Sequence, residues 1–295
     1  RFGYNVQQDV LRATLLKTIS KHKNIKYRPE TEIVNIEYGE PFVIVTDSKN
    51  QSFKAPLLIA SDGKNSFARE CAEIETAKHE YNQMALTFVI AHEKPHECVS
   101  TEIHHEGGPL TFVPLKGGKT SSVVWVNTRE DAQALLTLEE QEFTKALHDQ
   151  SRNILGQVNI TSPIMSWPLS RLRAKQMTAK RLALIGEAAH ALSPVGAQGL
   201  NLSMRDVEIL TDIITGCARL GQDIGSKTVL GLYEKSRRAD VYKRVYGVDL
   251  LNHFIKTDRN FEKYLRRTGL KFASNLLPLK QFLMKEGMSA SSRKS

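Results

Sequence analysis

The most constraining feature of the sequence is the stretch from Arg181 to Arg205, RLALIGEAAHALSPVGAQGLNLSMR. It opens with an apolar run, residues 182–185, that is too short for a helix and has the length of a buried strand. A helical pattern begins at about Leu200, so the stretch predicts a strand, a tight turn and a helix. Glycines in such a turn permit close backbone approach, and a helix start offers free N–H groups and a positive dipole end. This corner therefore suits an anionic or electron-rich ligand.

A second corner of the same kind lies upstream, where the apolar residues 57–60 precede Asp62 and Gly63. Arg69 follows closely, and residues 65–72 are predicted to start a helix. Taken alone, the glycines of the first stretch are equally well explained as a plain strand-to-helix turn, because short glycine motifs are weak evidence of binding.

The two corners, in this order, resemble the flavin-dependent aromatic hydroxylases typified by p-hydroxybenzoate hydroxylase. In that family an Asp-Gly motif and a Gly-Asp motif both line the FAD site. The segment GEAAHALSPVGAQGLNLSMRD is similar to the corresponding segment in the ubiquinone-biosynthesis branch of the family. The resemblance covers nearly the whole chain, from Gly3 to about Gly287. It implies FAD as the cofactor, NAD(P)H as the reductant and O2 as the co-substrate.

The resemblance also implies which residues hold the cofactor. Asp62 and Gly63 are expected near the FAD phosphates, with Arg69 supporting them; the alternatives are a turn or helix N-cap residue for Asp62 and a surface ion pair for Arg69. Gly186 and Glu187 are expected at the ribityl chain of the flavin. Glu187 stands where the family usually has Asp, so its carboxylate is one methylene farther out. The alternative for Glu187 is a first-turn acid favoured by a helix dipole.

The other expected cofactor residues follow the second corner. Pro194 and Gly196 are expected beside the isoalloxazine ring. Gly199, Leu200 and Asn201 are expected to present backbone N–H groups to the pyrimidine edge of that ring, where the helix dipole favours negative charge. The alternative for all five is turn geometry alone.

No catalytic side chain is expected, because the cofactor supplies the oxygen-transfer chemistry while the protein binds, orients and excludes water. His190 belongs to the flavin motif and is expected to pack or bond structurally. His104 and His105 lie on a predicted strand, where neighbours point to opposite faces, so no metal site is expected. Cys217 lies on an apolar helix and is expected in the core.

These features predict an α/β (α+β) fold, in which a Rossmann-like FAD/NAD(P)-binding domain carries an inserted, mostly antiparallel β-sheet domain for the substrate and ends in helices. The resemblance assigns residues 1–75 and 172–288 to the FAD-binding domain and residues 76–171 to the insert; residues 289–295 are predicted to be disordered. The strand–GxGxxG–helix unit that opens a dinucleotide fold is not found in the sequence. In the family this unit precedes the counterpart of Gly3, so these residues alone are expected to bind FAD weakly and to be inactive.

Hydrophobic periodicity predicts the individual elements. The predicted helices are 9–21, 65–72 and 138–150, followed by helices from Ser203 onward with breaks near residues 221–225, 269 and 278. The predicted strands are 33–36, 42–45, 53–60, 84–90, 110–115, 122–126 and 164–169, and residues 171–180 are predicted to be a link.

Charge and composition limit the partners. The net charge is +9, and the segment from Lys256 to the C-terminus holds 10 basic and 3 acidic residues. That excess fits docking on an anionic membrane surface or on other ubiquinone-biosynthesis proteins; the alternative is a solvated helical face. No nucleic-acid motif is present. With three scattered cysteines and no apolar leader, a cytoplasmic protein is expected, peripheral at the inner face of the membrane, with homo-oligomerisation open.

Three functions follow from these expectations. The first is an FAD-dependent monooxygenase that hydroxylates a polyprenylated phenol in ubiquinone biosynthesis. The second is a flavin hydroxylase of a small soluble phenol. The third is a non-catalytic scaffold that has kept the same fold.

Overall fold

The computed structural model describes residues 4–193 and 198–256. Two expected cofactor residues, Pro194 and Gly196, lie outside these ranges, as do the basic segment after Lys256, the predicted breaks near 269 and 278 and the tail 289–295. Helices and strands both make up the described chain, so the predicted α/β (α+β) class is confirmed.

The described residues divide into two compact units. The sheet unit contains residues 4–25, 81–169 and 251–256, and the mixed unit contains residues 26–80, 170–193 and 198–250. The division into functional domains at residues 76–171 stays a prediction. The helices are α1 (Gln8–Ile19), α2 (Phe67–Cys71), α3 (Arg129–Leu136), α4 (Glu140–Ser151), α5 (Gln198–Arg219) and α6 (Lys227–Lys256).

The sheet unit is an antiparallel sheet with one face covered by helices. Phe143 of α4 packs edge-to-face on Phe88 and Trp125, with ring centroids 5.4 Å and 5.7 Å away. Leu86 and Leu147 complete this face and are fully buried. The strands of this unit are β5 (Thr76–His92, within the unit from Tyr81), β6 (Thr101–His104), β7 (Pro109–Pro114), β8 (Thr120–Thr128), β9 (Val158–Ile160) and the start of β10 (Met165–Ala174).

The mixed unit combines two small sheets with three helices. Its core is formed by Leu182 and Leu184 against Leu202, Leu210 and Tyr233 of the long helices α5 and α6. β1, β2 and β3 form an antiparallel meander, whereas β4 and β12 pair in parallel. The strands are β1 (Ile33–Tyr38), β2 (Val43–Asp47), β3 (Ser52–Ala55), β4 (Leu58–Ala60), β11 (Thr178–Ala179), β12 (Leu182–Leu184) and β13 (His190–Ala191).

One predicted strand was wrong and one helix was missed, both for reasons that the sequence explains. The predicted strand 53–60 is two strands, β3 and β4, because Pro56 has no N–H to donate and the two halves pair in different sheets. The predicted helix 138–150 is preceded by a missed helix, α3, whose N-cap Thr128 accepts a hydrogen bond from the backbone N–H of Asp131 (3.1 Å).

Two other predicted elements differ from the structure in length or in burial, and one predicted break is confirmed. β10 continues to Ala174, so the first part of the predicted link 171–180 is a strand. The helix predicted over residues 9–21 is confirmed as α1, but no residue of it is buried, and Val10 and Leu15 are each 50% exposed. The break near residues 221–225 is confirmed, since α5 ends at Arg219 and α6 begins at Lys227.

Candidate cofactor-binding site

The two corners identified from the sequence meet at the carboxyl ends of two parallel strands. β4 and β12 run side by side, with Leu58 opposite Leu182 and Ala60 opposite Leu184. The backbone N–H of Ile185 donates to the carbonyl oxygen of Ala60 (3.0 Å), which continues the pairing to the end of both strands. Ligands of open α/β sheets bind outside the carboxyl ends of the strands, which is where both corners lie.

The Asp-Gly corner is the start of α2. The Oδ2 atom of Asp62 accepts a hydrogen bond from the backbone N–H of Ala68 (3.1 Å), and the Ser66 hydroxyl accepts from that of Arg69 (3.0 Å). Asp62 therefore does serve as a helix-capping residue, while its side chain stays exposed to solvent. Gly63 has φ +82°, a conformation that L side chains rarely adopt, so the turn requires glycine there.

Arg69 joins the two corners. Its Nη1 atom donates to the carbonyl oxygen of Ala188 and its Nη2 atom to that of Lys64, both at 2.9 Å. The side chain is buried, and both partners are main-chain carbonyls, so the surface ion pair considered as an alternative is wrong. One guanidinium thus fixes the Asp-Gly loop against the Gly-Glu loop.

The Gly-Glu corner is a single turn of 3-10 helix, Gly186–Ala188. Gly186 has φ +58°, and a Cβ added there would lie 3.3 Å from the Ser203 hydroxyl of α5, so the position favours glycine for its conformation and for close packing. Glu187 points to solvent, whereas Ala188 and Ala189 are buried. Glu187 is therefore the side chain of this turn that a ligand can reach.

The first turn of α5 lies next to this corner. Ser203, which packs on Gly186, donates its hydroxyl hydrogen to the carbonyl oxygen of Gly199 (3.0 Å). Leu200 is 60% exposed and Asn201 is also exposed. The first N–H groups of a helix have no partner within the helix, so this turn can donate to an acceptor of a ligand.

A buried carboxylate that sequence reasoning missed holds the corner from behind. The Oδ2 atom of Asp206 accepts from the backbone N–H of Gly186 (2.8 Å) and from Nε2 of His190 (2.7 Å), and its Oδ1 atom accepts from Nε of Arg237 (2.7 Å). His190 is buried and bonded to Asp206, so the expected structural role of His190 is confirmed. The signal was available in the sequence, since an Asp between Leu202 and Leu210 on an apolar helix stripe implies a paired, buried charge.

Arg237 and its neighbours on α6 extend this network. The Nη1 atom of Arg237 donates to Asp240 (2.6 Å), and Nε of Arg244 donates to the other oxygen of Asp240 (2.9 Å). Burial opposes the positive charge of Arg237, yet Asp206 and Asp240 together raise the pKa of the guanidinium. Burial likewise opposes the charge of Asp240, but the two arginines lower the pKa of that carboxyl. Arg237 and Asp240 are therefore both charged.

The Cys71 thiol and the Tyr38 hydroxyl beside the Asp-Gly corner are both poor nucleophiles at neutral pH. Burial raises the pKa of the Cys71 thiol, and the nearby charge of Glu70 raises it further, so the thiol stays protonated at neutral pH. The Tyr38 hydroxyl donates to the carbonyl oxygen of Ala68 (2.9 Å), and burial raises its pKa. The Tyr38 hydroxyl therefore supports α2.

Neither a metal site nor a membrane span is found in the described part of the chain. Within residues 4–193 and 198–256, no group of three or more His, Cys, Asp or Glu side chains could hold a metal ion. The helices in these ranges also lack the combination of length and apolar character needed to cross a bilayer. Cys71, Cys98 and Cys217 are free thiols, and Cys217 is buried in the core as expected.

Comparison with known proteins agrees with this geometry. The chain is 30% identical over 286 residues to the ubiquinone hydroxylase UbiL of Rhodospirillum rubrum, an alignment that covers 97% of this chain and 66% of the relative. It is 26% identical over 285 residues to the 3-demethoxyubiquinol 3-hydroxylase of Escherichia coli, covering 96% of this chain and 72% of that enzyme. The chain thus spans about two thirds of the length of these curated relatives.

Solved structures share the fold. The p-nitrophenol 4-monooxygenase PnpA of Pseudomonas putida superposes with a TM-score of 0.78 at 16% identity, over 97% of this chain and 73% of that one. The Klebsiella pneumoniae protein HpxO, solved with FAD and uric acid, gives a TM-score of 0.72 at 15% identity, over 95% of this chain and 72% of that one. The family model described as "FAD binding domain" matches residues 3–246. The chain belongs to this FAD-binding family, in the branch that contains the ubiquinone-biosynthesis hydroxylases.

Proposed function

We propose that the chain is the main part of an FAD-dependent monooxygenase that hydroxylates a polyprenylated phenol in ubiquinone biosynthesis, with NAD(P)H and O2. The single observation that carries the proposal is the junction at Arg69, where one buried guanidinium fastens the Asp-Gly corner to the Gly-Glu corner. The names of the relatives supply the substrate class, since UbiL is a ubiquinone hydroxylase and the Escherichia coli relative acts on 3-demethoxyubiquinol.

The residues at the corners fit FAD. A Cβ added at Gly63 or at Gly199 would meet no atom within 4 Å, so there is open space beside the backbone at both positions. Asp62 and Glu187 offer exposed carboxylates, and the start of α5 offers N–H donors. FAD, when bound, supplies the redox and oxygen-transfer chemistry that side chains lack. The chain's own residues bind and orient it, with Asp62, Gly63 and Arg69 toward the phosphates and Gly186, Glu187, Gly199, Leu200 and Asn201 toward the flavin.

The half-buried part of the sheet face opposite the helices is our candidate surface for the phenol. Thr87, Val89 and Val124 alternate with buried neighbours and project from the face opposite the helices, where each is only half-buried. Trp167 is 53% exposed, and its Nε1 atom donates to the Thr87 hydroxyl (3.1 Å). A face that mixes branched apolar side chains, an indole and a hydroxyl suits an apolar ring that bears an oxygen.

The same proposal includes contact with the membrane surface on its cytoplasmic side. A polyprenylated phenol resides in the bilayer, so the enzyme must reach it there. The excess of basic residues after Lys256 supports this part through its attraction to anionic lipids. Co-sedimentation of the full-length protein with anionic vesicles, and not with neutral ones, is the expected result.

The decisive experiment uses the full-length gene product. The purified protein is expected to show a flavin visible spectrum, and a strain that lacks the gene is expected to accumulate one prenylated intermediate that is short of one hydroxyl. Normal quinone levels in that strain would overturn the proposal. Turnover of a water-soluble phenol without detergent would favour the second function, and a flavin-free protein that still binds biosynthetic partners would favour the scaffold.

A further inference from the structure

We propose that Arg237 is a positioning residue for the cofactor-binding corner, acting through Asp206 on Gly186 and His190. The inference rests on the proposed function only in treating residues 186–190 as part of the FAD site. Arg237 lies on α6, far along the chain from both glycine motifs, and sequence reasoning did not single it out. What connects it to the site is a chain of three buried contacts.

The first step is the burial of the Asp206 carboxylate, which has no exposed surface. A buried carboxylate is tolerated only if it is paired and hydrogen-bonded. An ionised carboxylate has about four acceptor positions, and Asp206 uses three of them, for Gly186, His190 and Arg237. A protonated carboxyl group would convert one oxygen into a donor and could not keep all three N–H partners.

The second step is that Arg237 supplies the opposite charge. Its side chain is 1% exposed, and its Nε atom lies 2.7 Å from Oδ1 of Asp206. Asp240 holds the far side of the same guanidinium, at 2.6 Å from Nη1, so the group has one fixed orientation. Removing the cation leaves the buried carboxylate of Asp206 without its charged partner, so its contacts must rearrange. That rearrangement loosens Gly186 or His190.

The third step is what Asp206 controls. The Gly186 N–H, held by Asp206, begins the 3-10 turn, and the carbonyl oxygen of Ala188, held by Arg69, ends it. Glu187 lies between these two anchors. The direction in which Glu187 leaves the backbone is therefore set by Arg69 on one side and by the Asp206–Arg237 pair on the other.

The mixed unit offers a matched control in Arg181. This residue is 2% exposed and also lies between two carboxylates, with its Nε atom 2.7 Å from Glu40 and its Nη1 atom 2.8 Å from Asp223. Its described side-chain partners lie outside residues 186–190. Replacing Arg181 perturbs a second arginine between two carboxylates, although those of Glu40 and Asp223 are 55% and 45% exposed, and its described side-chain contacts do not include residues 186–190.

The test compares Arg237→Lys with Arg181→Lys in the full-length protein. Lysine keeps the charge but lacks the planar fork that contacts two carboxylates at once. Hydrogen exchange of the peptide that covers residues 182–193 is measured in the flavin-free protein, and FAD affinity and the visible circular dichroism of the flavin are measured in the loaded protein. We expect Arg237→Lys to raise exchange at Gly186 and to weaken FAD binding at least tenfold with a changed flavin signal, while Arg181→Lys lowers thermal stability and leaves FAD affinity within about twofold.

Equal effects of the two lysine variants on corner exchange and on FAD affinity would overturn the inference, because a merely structural role predicts that both follow stability. If Arg237→Lys does not fold, Asp206→Asn is used, since it keeps the shape and is expected to release the Gly186 amide or His190. Unchanged exchange in that variant would also overturn the inference. A wild-type protein that binds no FAD would refute the proposed function, but the exchange measurement would still decide the role of Arg237.

Discussion

Arg69 is the residue whose removal should separate the two corners. Its guanidinium makes two hydrogen bonds, each 2.9 Å long, to carbonyl oxygens of different loops. A hydrogen bond that involves a charged group contributes about 1.5–3 kcal/mol. We therefore expect Arg69→Met, which keeps an unbranched apolar stem, to lower the free energy of unfolding by about 3 kcal/mol, the lower end of the sum. The lower end applies because Met also relieves the desolvation of a buried charge.

The conservative variant Arg69→Lys tests how much of the expected loss of stability comes from the second hydrogen bond. Lysine keeps the positive charge but concentrates its donors at one point, so Arg69→Lys can reach only one of the two carbonyls. Its expected loss is about half that of Arg69→Met, or about 1.5 kcal/mol. Lys64→Ala is the matched control, because Arg69 contacts the main-chain oxygen of Lys64, which alanine retains.

Urea unfolding of the full-length protein measures these differences, and FAD titration measures their effect on the site. At about 2–4 °C per kcal/mol for a chain of this size, Arg69→Met should also melt about 6–12 °C below wild type. FAD affinity should fall at least tenfold, since separation of the loops need cost only about 1.4 kcal/mol of binding free energy for that factor. If Arg69→Met unfolds and binds FAD like Lys64→Ala, the two corners do not depend on Arg69 and the reasoning is wrong.

Three further predictions concern other parts of the chain. Gly225→Ala should lower stability by about 1–3 kcal/mol, because the added Cβ would lie 2.0 Å from the Pro56 oxygen. Gly231→Ala, which places its Cβ in open space on α6, should raise stability by about 0.5–1 kcal/mol. Melting scans that rank the two variants in the opposite order would contradict the packing described at Gly225. Burial lowers the pKa of His92 in the folded protein, so the unfolded chain takes up the proton at a higher pH and stability falls as the pH drops below about 6.5. The urea midpoint of the wild type should therefore fall between about pH 7 and about pH 5, and that of His92→Gln should fall less. Equal falls in the two proteins would exclude His92 as the cause. Glu187→Ala should weaken FAD binding about tenfold with an unchanged melting temperature, because the side chain is exposed; unchanged affinity would remove Glu187 from the site.

The local parts of the site could be predicted from the sequence, and the long-range parts could not. Short apolar runs before Asp62 and before Gly186 marked β4 and β12, and the predicted strands 84–90 and 122–126 lie within β5 and β8. The contact of Arg69 with Ala188 could not be predicted, because that hydrogen bond joins residues 119 positions apart. The pairing of Asp206 with Arg237 was hidden for the same reason, since many arginines compete for one buried carboxylate until the helices pack.

The Gly-Glu corner is held by its main chain, and this explains how it can carry a glutamate. Gly186 is fixed through its N–H by Asp206, and Ala188 is fixed through its carbonyl by Arg69. Neither anchor touches the side chain of Glu187, which is exposed. An added methylene therefore lengthens the reach of the carboxylate by about 1.5 Å without altering the turn that carries it. The buried Asp206–Arg237 pair and Arg69 fix the main chain of the corner. We therefore expect substitutions at those residues, more than at Glu187, to decide whether the corner can hold a flavin.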